Sequence, residues 1–164
     1  MPRYSFNDND LSALSFRVFG GLKFSVFAAI SLTLTACGGF RSEWNNPANH
    51  SETGVVGRWQ GEWKSNVNGH AGQLRCIVTE LPEPARYYFH YHAVWAKILR
   101  ASYQLECQAS EVSFGVWEFE GSKDLGSVLG TYAFDGRIEE DVFAATYSGG
   151  FDEGTFQMER VRDE

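Results

Sequence analysis

The chain has few cysteines and few cations. Its 164 residues include three Cys, and 14 Lys and Arg stand against 21 Asp and Glu, a formal net charge of −7. No Cys-x-x-Cys and no Cys/His cluster with zinc-ligand spacing occurs, so the sequence offers no structural zinc site. No Lys/Arg cluster offsets the acidic balance, which excludes nucleic acid as a partner. No Gly-x-Ser-x-Gly elbow and no phosphate-cradling glycine loop before a helix is present. The apolar run Phe24 to Ala36 has 13 residues, four of them polar (Ser25, Ser31, Thr33, Thr35). That is short of the ~20 that a spanning helix needs.

Thirteen residues instead suit the apolar region of a signal peptide, typically ~7–15 long. Arg17 and Lys23 supply the preceding positive charge, and Asp8 and Asp10 dilute it. The run ends on Leu34-Thr35-Ala36-Cys37: an aliphatic residue, two small residues, then cysteine. This resembles the lipobox of bacterial lipoproteins. The resemblance implies removal of residues 1–36, diacylglyceryl transfer to the Cys37 thiol and further acylation of the new amine. Each buried CH₂ contributes ~0.8 kcal/mol, and two chains hold a protein stably on a bilayer. Gly38 stands where an Asp would mark inner-membrane retention. An outer-membrane address is therefore favoured in a Gram-negative source. The implied localisation is extracytoplasmic, and the implied partner is a membrane, reached through the lipid on Cys37.

Cleavage there leaves 128 residues, enough for one domain with a buried core. Residues 1–36 carry three cations and two anions, so the remainder is close to −8. Residues 37–53 are polar, with Gly, Pro and Asn and no apolar period, and read as the lipidated Cys and a flexible tether. Residues 54–164 read as the folded domain.

Period-two patterning dominates that domain. Trp59, Gly61 and Trp63 alternate with Arg58, Gln60, Glu62 and Lys64. Gln73–Leu81 follows with Leu74, Cys76 and Val78 inward. Tyr87, Phe89, Tyr91, Ala93 and Trp95 share a face of the third strand. Ser102–Ala109 points Tyr103, Leu105 and Cys107 inward. Glu111–Gly121 is strand-like but slips parity, which places a bulge at Gly115. Val128–Phe134 leads into Asp135-Gly136, which reads as a hairpin turn. Arg137–Asp141 reads as a solvated loop. Val142–Tyr147 and Thr155–Val161 form a last hairpin with Phe143, Ala145, Tyr147, Phe156 and Met158 inward. No amphipathic helix is predicted after residue 36. The fold class is therefore all-β, a single antiparallel meander of about eight strands closing into a barrel or half-barrel. Gly57-Arg58-Trp59 looks like the Gly-x-Trp that opens calycins such as lipocalins. Asp152 to Arg160 (DEGTFQMER) is similar to the closing hairpin of many small, uncharacterised bacterial β proteins. Neither motif carries a functional residue across.

Several residues are candidate sites. Cys76 and Cys107 form a candidate disulfide, favoured by the compartment. A meander opposes it: alternate strands lie ~9–10 Å apart, and a bond needs Cα atoms within ~7 Å. His90 and His92 share a strand face and could supply two metal ligands, with His70 or a carboxylate as a third. Their face is opposite Phe89 and Tyr91 and reads as wet, so no metal is assigned. Glu118 with Glu120, and Glu139 with Asp141, are paired carboxylates outside any aromatic cleft. No catalytic residue, cofactor or enzymatic activity is assigned. Trp59, Trp63, Tyr91, Trp95, Tyr103 and Tyr147 either line a pocket for a small apolar ligand or fill a packed core. The expected function is a non-enzymatic envelope lipoprotein with a binding or structural role, partnered by an envelope protein. The alternative is a lipocalin-like carrier of a small hydrophobic ligand, with a hydrolase last.

Overall fold

The computed structural model describes residues 37–51, 53–96, 99–124, 126–127 and 130–162. The expected signal segment lies outside them. Eight antiparallel strands run in chain order: β1 Gly57–Ser65, β2 Ala71–Glu80, β3 Arg86–Trp95, β4 Leu99–Ser113, β5 Val116–Asp124, β6 Thr131–Glu139, β7 Val142–Ser148 and β8 Glu153–Arg160. Each pairs with the next, and β1 pairs with β8, so the meander closes into a barrel. Closure leaves no unpaired edge for another chain to extend.

The inward parity is as the alternation predicts. Trp59, Leu74, Cys76, Val78, Phe89, Tyr91, Leu105, Phe119, Phe143, Tyr147, Phe156 and Met158 are all buried in one core. Small residues make room for the rings. Gly136 sits between Phe119 and Ala145 in the register, and Ala145 pairs with Phe156. A Cβ on Gly136 would stand 2.5 Å from Phe119 Cζ. Gly61 lets β8 approach β1, since a Cβ there would lie 2.0 Å from the Gln157 carbonyl oxygen.

Two turn assignments are corrected. Phe114-Gly115 is a hairpin turn between β4 and β5, not a bulge inside one strand. Gly115 takes φ 74°, and the register shifts nearby, between Glu111 and Ser113. The parity slip read in the sequence is this reversal of direction. Asp135-Gly136 is not a turn but the middle of β6. The reversal falls at Glu140-Asp141 instead, where Glu140 has φ 52°. Arg137–Glu139 is therefore strand rather than loop. An Asp-Gly pair signals a hairpin only where nothing else claims the glycine, and here the Phe119 ring does.

Residues 37–53 are also more structured than a tether. They contain α1, Cys37–Trp44, and a short 3-10 turn, Pro47–Asn49, capped by the Asn46 side chain accepting from the Ala48 N–H. Phe40, four residues before Trp44, stacks on it at 5.7 Å, and residues four apart share a helix face. That face docks on the outside of the barrel wall.

Arg160 ties the following segment down. Its guanidinium donates to the Val56 carbonyl at 2.9 Å, the Ser51 carbonyl at 3.2 Å and the Gly54 carbonyl. It meets Asp141 at 3.1 Å and lies 4.1 Å from the Trp59 ring centroid. Near the start of β8, the buried carboxylate of Asp152 accepts from Ser65 Oγ at 2.6 Å and Tyr147 Oη at 3.1 Å.

Candidate functional site

The bore is filled. Phe89, Phe119 and Phe143 meet at 4.9–6.3 Å between centroids, and Tyr91 lies 5.0 Å from Tyr103 and 5.4 Å from Phe156. Of the six candidate ligand-lining residues, Trp59, Trp63, Tyr91 and Tyr147 are buried within this ring cluster and Tyr103 packs against it. The Trp95 side chain lies outside the described part of the structure. These side chains act as core. Burial pushes the hydroxyls of Tyr91 and Tyr103 well above the ordinary tyrosine range, with the neighbouring thiols adding to it.

Cys76 and Cys107 are buried free thiols, so the candidate bond is not formed. They project inward from β2 and β4 with β3 between, the separation that argued against a bridge. Burial raises both thiols: Cys76 well above its ordinary value, and Cys107 up to about 12 with Arg86 opposing. Neither is a ready nucleophile, because the thiolate is the reactive form.

Of the paired carboxylates, Glu118 and Glu120 line an outer groove and not the ring cluster of the bore. Glu118 and Glu139 flank the exposed Arg137 at 3.8 and 3.3 Å. Ser65 donates directly to a carboxylate, with no histidine between, and its hydroxyl also accepts from the Val67 and Asn68 N–H groups. Those bonds brace the β1–β2 turn.

The chemistry gathers on the outside of β1–β3, under α1. The strand pairs line up Arg58, Ile77 and His90 at one level, and Gln60, Arg75 and His92 at the next. All six point outward, yet Arg58 is only 6% exposed, and Ile77 and His90 1% each. The expectation that the His90 and His92 face is wet is corrected: α1 and the turn after it cover that wall. Phe40, itself 4% exposed, stacks on His92 and meets His90 edge-on, both at 4.9 Å. Glu43 Oε2 lies 2.7 Å from His90 Nδ1. Trp44 receives the Arg75 guanidinium at 4.9 Å and that of Arg58 at 5.6 Å. His92 Nδ1 lies 2.7 Å from Ser102 Oγ. Burial, then the charges of Arg100, Arg75 and His90, hold His92 below the usual histidine range. Among the described residues no group of three or more His, Cys, Asp or Glu could hold a metal ion.

Beside the docked helix a groove of about 590 Å³ opens between α1 and the lower half of β2–β4. Arg41, Arg75, Arg100, His92 and the Phe40 and Trp44 side chains line it, with no carboxylate. Two other outer grooves, of about 860 and 580 Å³ on the β3–β8 side, are lined by Glu120 and Asp135 with either Glu106 or Glu118. The sequence reading missed Phe40, Trp44 and the arginines. The signal was there: two aromatics four apart in an otherwise polar stretch, the spacing of one helical face. Compared with protein-family models, with curated proteins and with solved structures, the chain matches none, so its role is argued from these residues alone.

Proposed function

We propose that the protein is an extracytoplasmic lipoprotein, held on a membrane by lipid at Cys37, whose barrel serves a non-enzymatic binding role through its outer surface. The filled bore is the observation that carries this reading. A carrier of the lipocalin type needs a cavity of roughly 300 Å³ or more inside the sheet, and here rings in contact occupy that space. The grooves described lie on outer walls. A hydrolase would need a base beside a reachable nucleophile, and Ser65 is buried, with its hydroxyl held by Asp152 and by the Val67 and Asn68 N–H groups.

Two measurements on protein purified from its membrane fraction test the reading. Intact-mass spectrometry is expected to show a chain beginning at Cys37 and carrying acyl chains. A chain beginning at Met1 without adducts refutes the anchor. Fatty-acid titration is expected to leave tryptophan fluorescence unchanged, and saturable quenching of the buried Trp59 and Trp63 refutes the filled bore.

A further inference from the structure

We propose that the arginine groove beside α1 takes the phosphate of an anionic lipid headgroup, so that the barrel lies on the bilayer with its α1-covered wall down. This deepens the function proposed above and rests on the anchor at Cys37.

Charge is the first support. In a chain of net charge −7 the groove collects three arginines and no carboxylate, while the two grooves described toward β5–β8 mix carboxylates with cations. Arg41 and Arg100 are exposed, and among the described residues neither has an ion-pair partner. Arg86, Arg137, Arg160 and Arg162 each meet an Asp or Glu. Guanidinium groups bind phosphate oxygens two at a time, and they retain their charge at any working pH. His92 Nδ1 is turned to Ser102 Oγ at 2.7 Å, away from the arginines' role.

Reach is the second. Cys37 opens α1, and Phe40, three residues on, is clamped between His90 and His92. Three residues of helix rise only about 4.5 Å. An acylated Cys37 therefore leaves no tether to lift this wall away. The groove lies within about one Debye length, ~8–10 Å, of headgroups around the anchor. Trp44, in the groove wall, is a residue type favoured at membrane interfaces. The grooves toward β5–β8 mix Glu106, Glu118, Glu120 and Asp135 with Arg86, Lys123 and Arg137, so they offer an anionic surface no comparable uncompensated cation cluster. Attraction on the α1-covered wall alone sets the orientation.

Hydrogen exchange on the full mature lipoprotein tests this, with the protein reconstituted in vesicles of phosphatidylcholine alone, of phosphatidylcholine with added phosphatidylglycerol, and of phosphatidylcholine with inorganic phosphate in the buffer. Amides of residues 39–45 and 99–102 are expected to exchange about thirtyfold more slowly with phosphatidylglycerol than in the other two arms, as two arginines near an anionic surface imply. Molar salt should abolish the difference. Arg41→Gln with Arg100→Gln should abolish it too, with β1 and β8 amides unchanged as the check on folding. Arg86→Gln with Arg137→Gln, outside the groove, should leave it intact. Equal exchange in all three arms overturns the proposal, as does protection that survives the Arg41/Arg100 pair. Protection by inorganic phosphate alone makes the occupant a soluble phosphate and overturns the headgroup. Intact mass on the same sample separates the two readings: a chain without acyl groups overturns the anchor and the groove together, and an acylated chain without lipid-dependent protection overturns the groove alone.

Discussion

Two walls of one barrel are built from the same alternation and end up different. On β4–β7 the outward residues Gln108, Ser110, Glu118, Glu120, Asp135 and Arg137 are exposed, as a wet face requires. On β1–β3 the outward residues Arg58, Ile77 and His90 are buried, because α1 lies over them. Strand parity fixes which side of the sheet a residue takes. It does not fix whether that side meets water. A buried outward residue marks a second layer. Here that layer is one short helix, held by aromatic stacking, cation–π contacts and one carboxylate–imidazole contact rather than by backbone pairing.

The same substitution made on each side of the sheet measures the difference. Phe143, fully buried, touches Trp59, Phe89 and Phe119. Phe143→Ala is expected to cost about 3–5 kcal/mol in urea unfolding. Next in size is Asp152→Ala, which strands the buried hydroxyls of Ser65 and Tyr147 without their carboxylate. About 1–3 kcal/mol is expected, and near-neutral behaviour would mean that water replaces the carboxylate. Phe40→Ala removes a side chain just as buried, but in a layer able to open on its own. Global stability should fall by less than half as much as for Phe143→Ala, while exchange at residues 39–45 rises sharply. Equal global losses would make α1 part of the barrel's single cooperative unit.

Acid and alkali should separate the layers by sign. His92, at the helix seam, has its folded value depressed, first by burial. Its stabilisation is present above the ordinary value of 6.5 and is lost as pH falls through the folded one. Cys107, inside the bore, is raised from 9.0 to about 12. Its stabilisation is complete below pH 9 and is lost as pH rises toward about 12. Acid should therefore loosen residues 39–45 before the core, as read by hydrogen exchange near pH 5. Alkali should unfold the barrel as a whole, as read by circular dichroism. A core that loosens first in acid would reverse the assignment.

The inside was legible and the seam was not, for a physical reason. Inward faces obey a period that the chain itself displays, so the eight strands and most of the core could be read from Trp59 onward, but not Tyr132, Phe134 and Ile138 of β6, because Ile138 lies inside the polar run Arg137–Asp141. Turn positions were less legible. Asp135-Gly136 has turn chemistry, but its glycine makes room for Phe119, a partner 17 positions away that no local window contains. The helix was hidden because α1 is only eight residues long and gains its order from His90, His92 and Arg75, far along the chain. An isolated helix of that length is not stable in water. The arginine groove needs both: Arg41 from the helix, and Arg75 of β2 and Arg100 of β4, 34 and 59 positions on. No spacing in the sequence brings them together.

The smallest expected effect tests the turn that broke the sequence parity. Phe114 is fully exposed at the tip of the β4–β5 hairpin, with Val112 exposed beside it. Had Glu111–Gly121 been one strand bulged at Gly115, alternate side chains of that stretch would face the core. Because the chain reverses at Phe114-Gly115, the ring points into solvent, and Phe114→Ser should change stability by no more than about 0.5 kcal/mol. Gly115→Val should cost more than Phe114→Ser, since φ 74° is a conformation that a β-branched residue resists. A bulged strand reverses the order, with the ring as the costly loss. If Phe114→Ser is silent in detergent but weakens the protein on vesicles, then this tip, and not the α1-covered wall, is what touches the membrane.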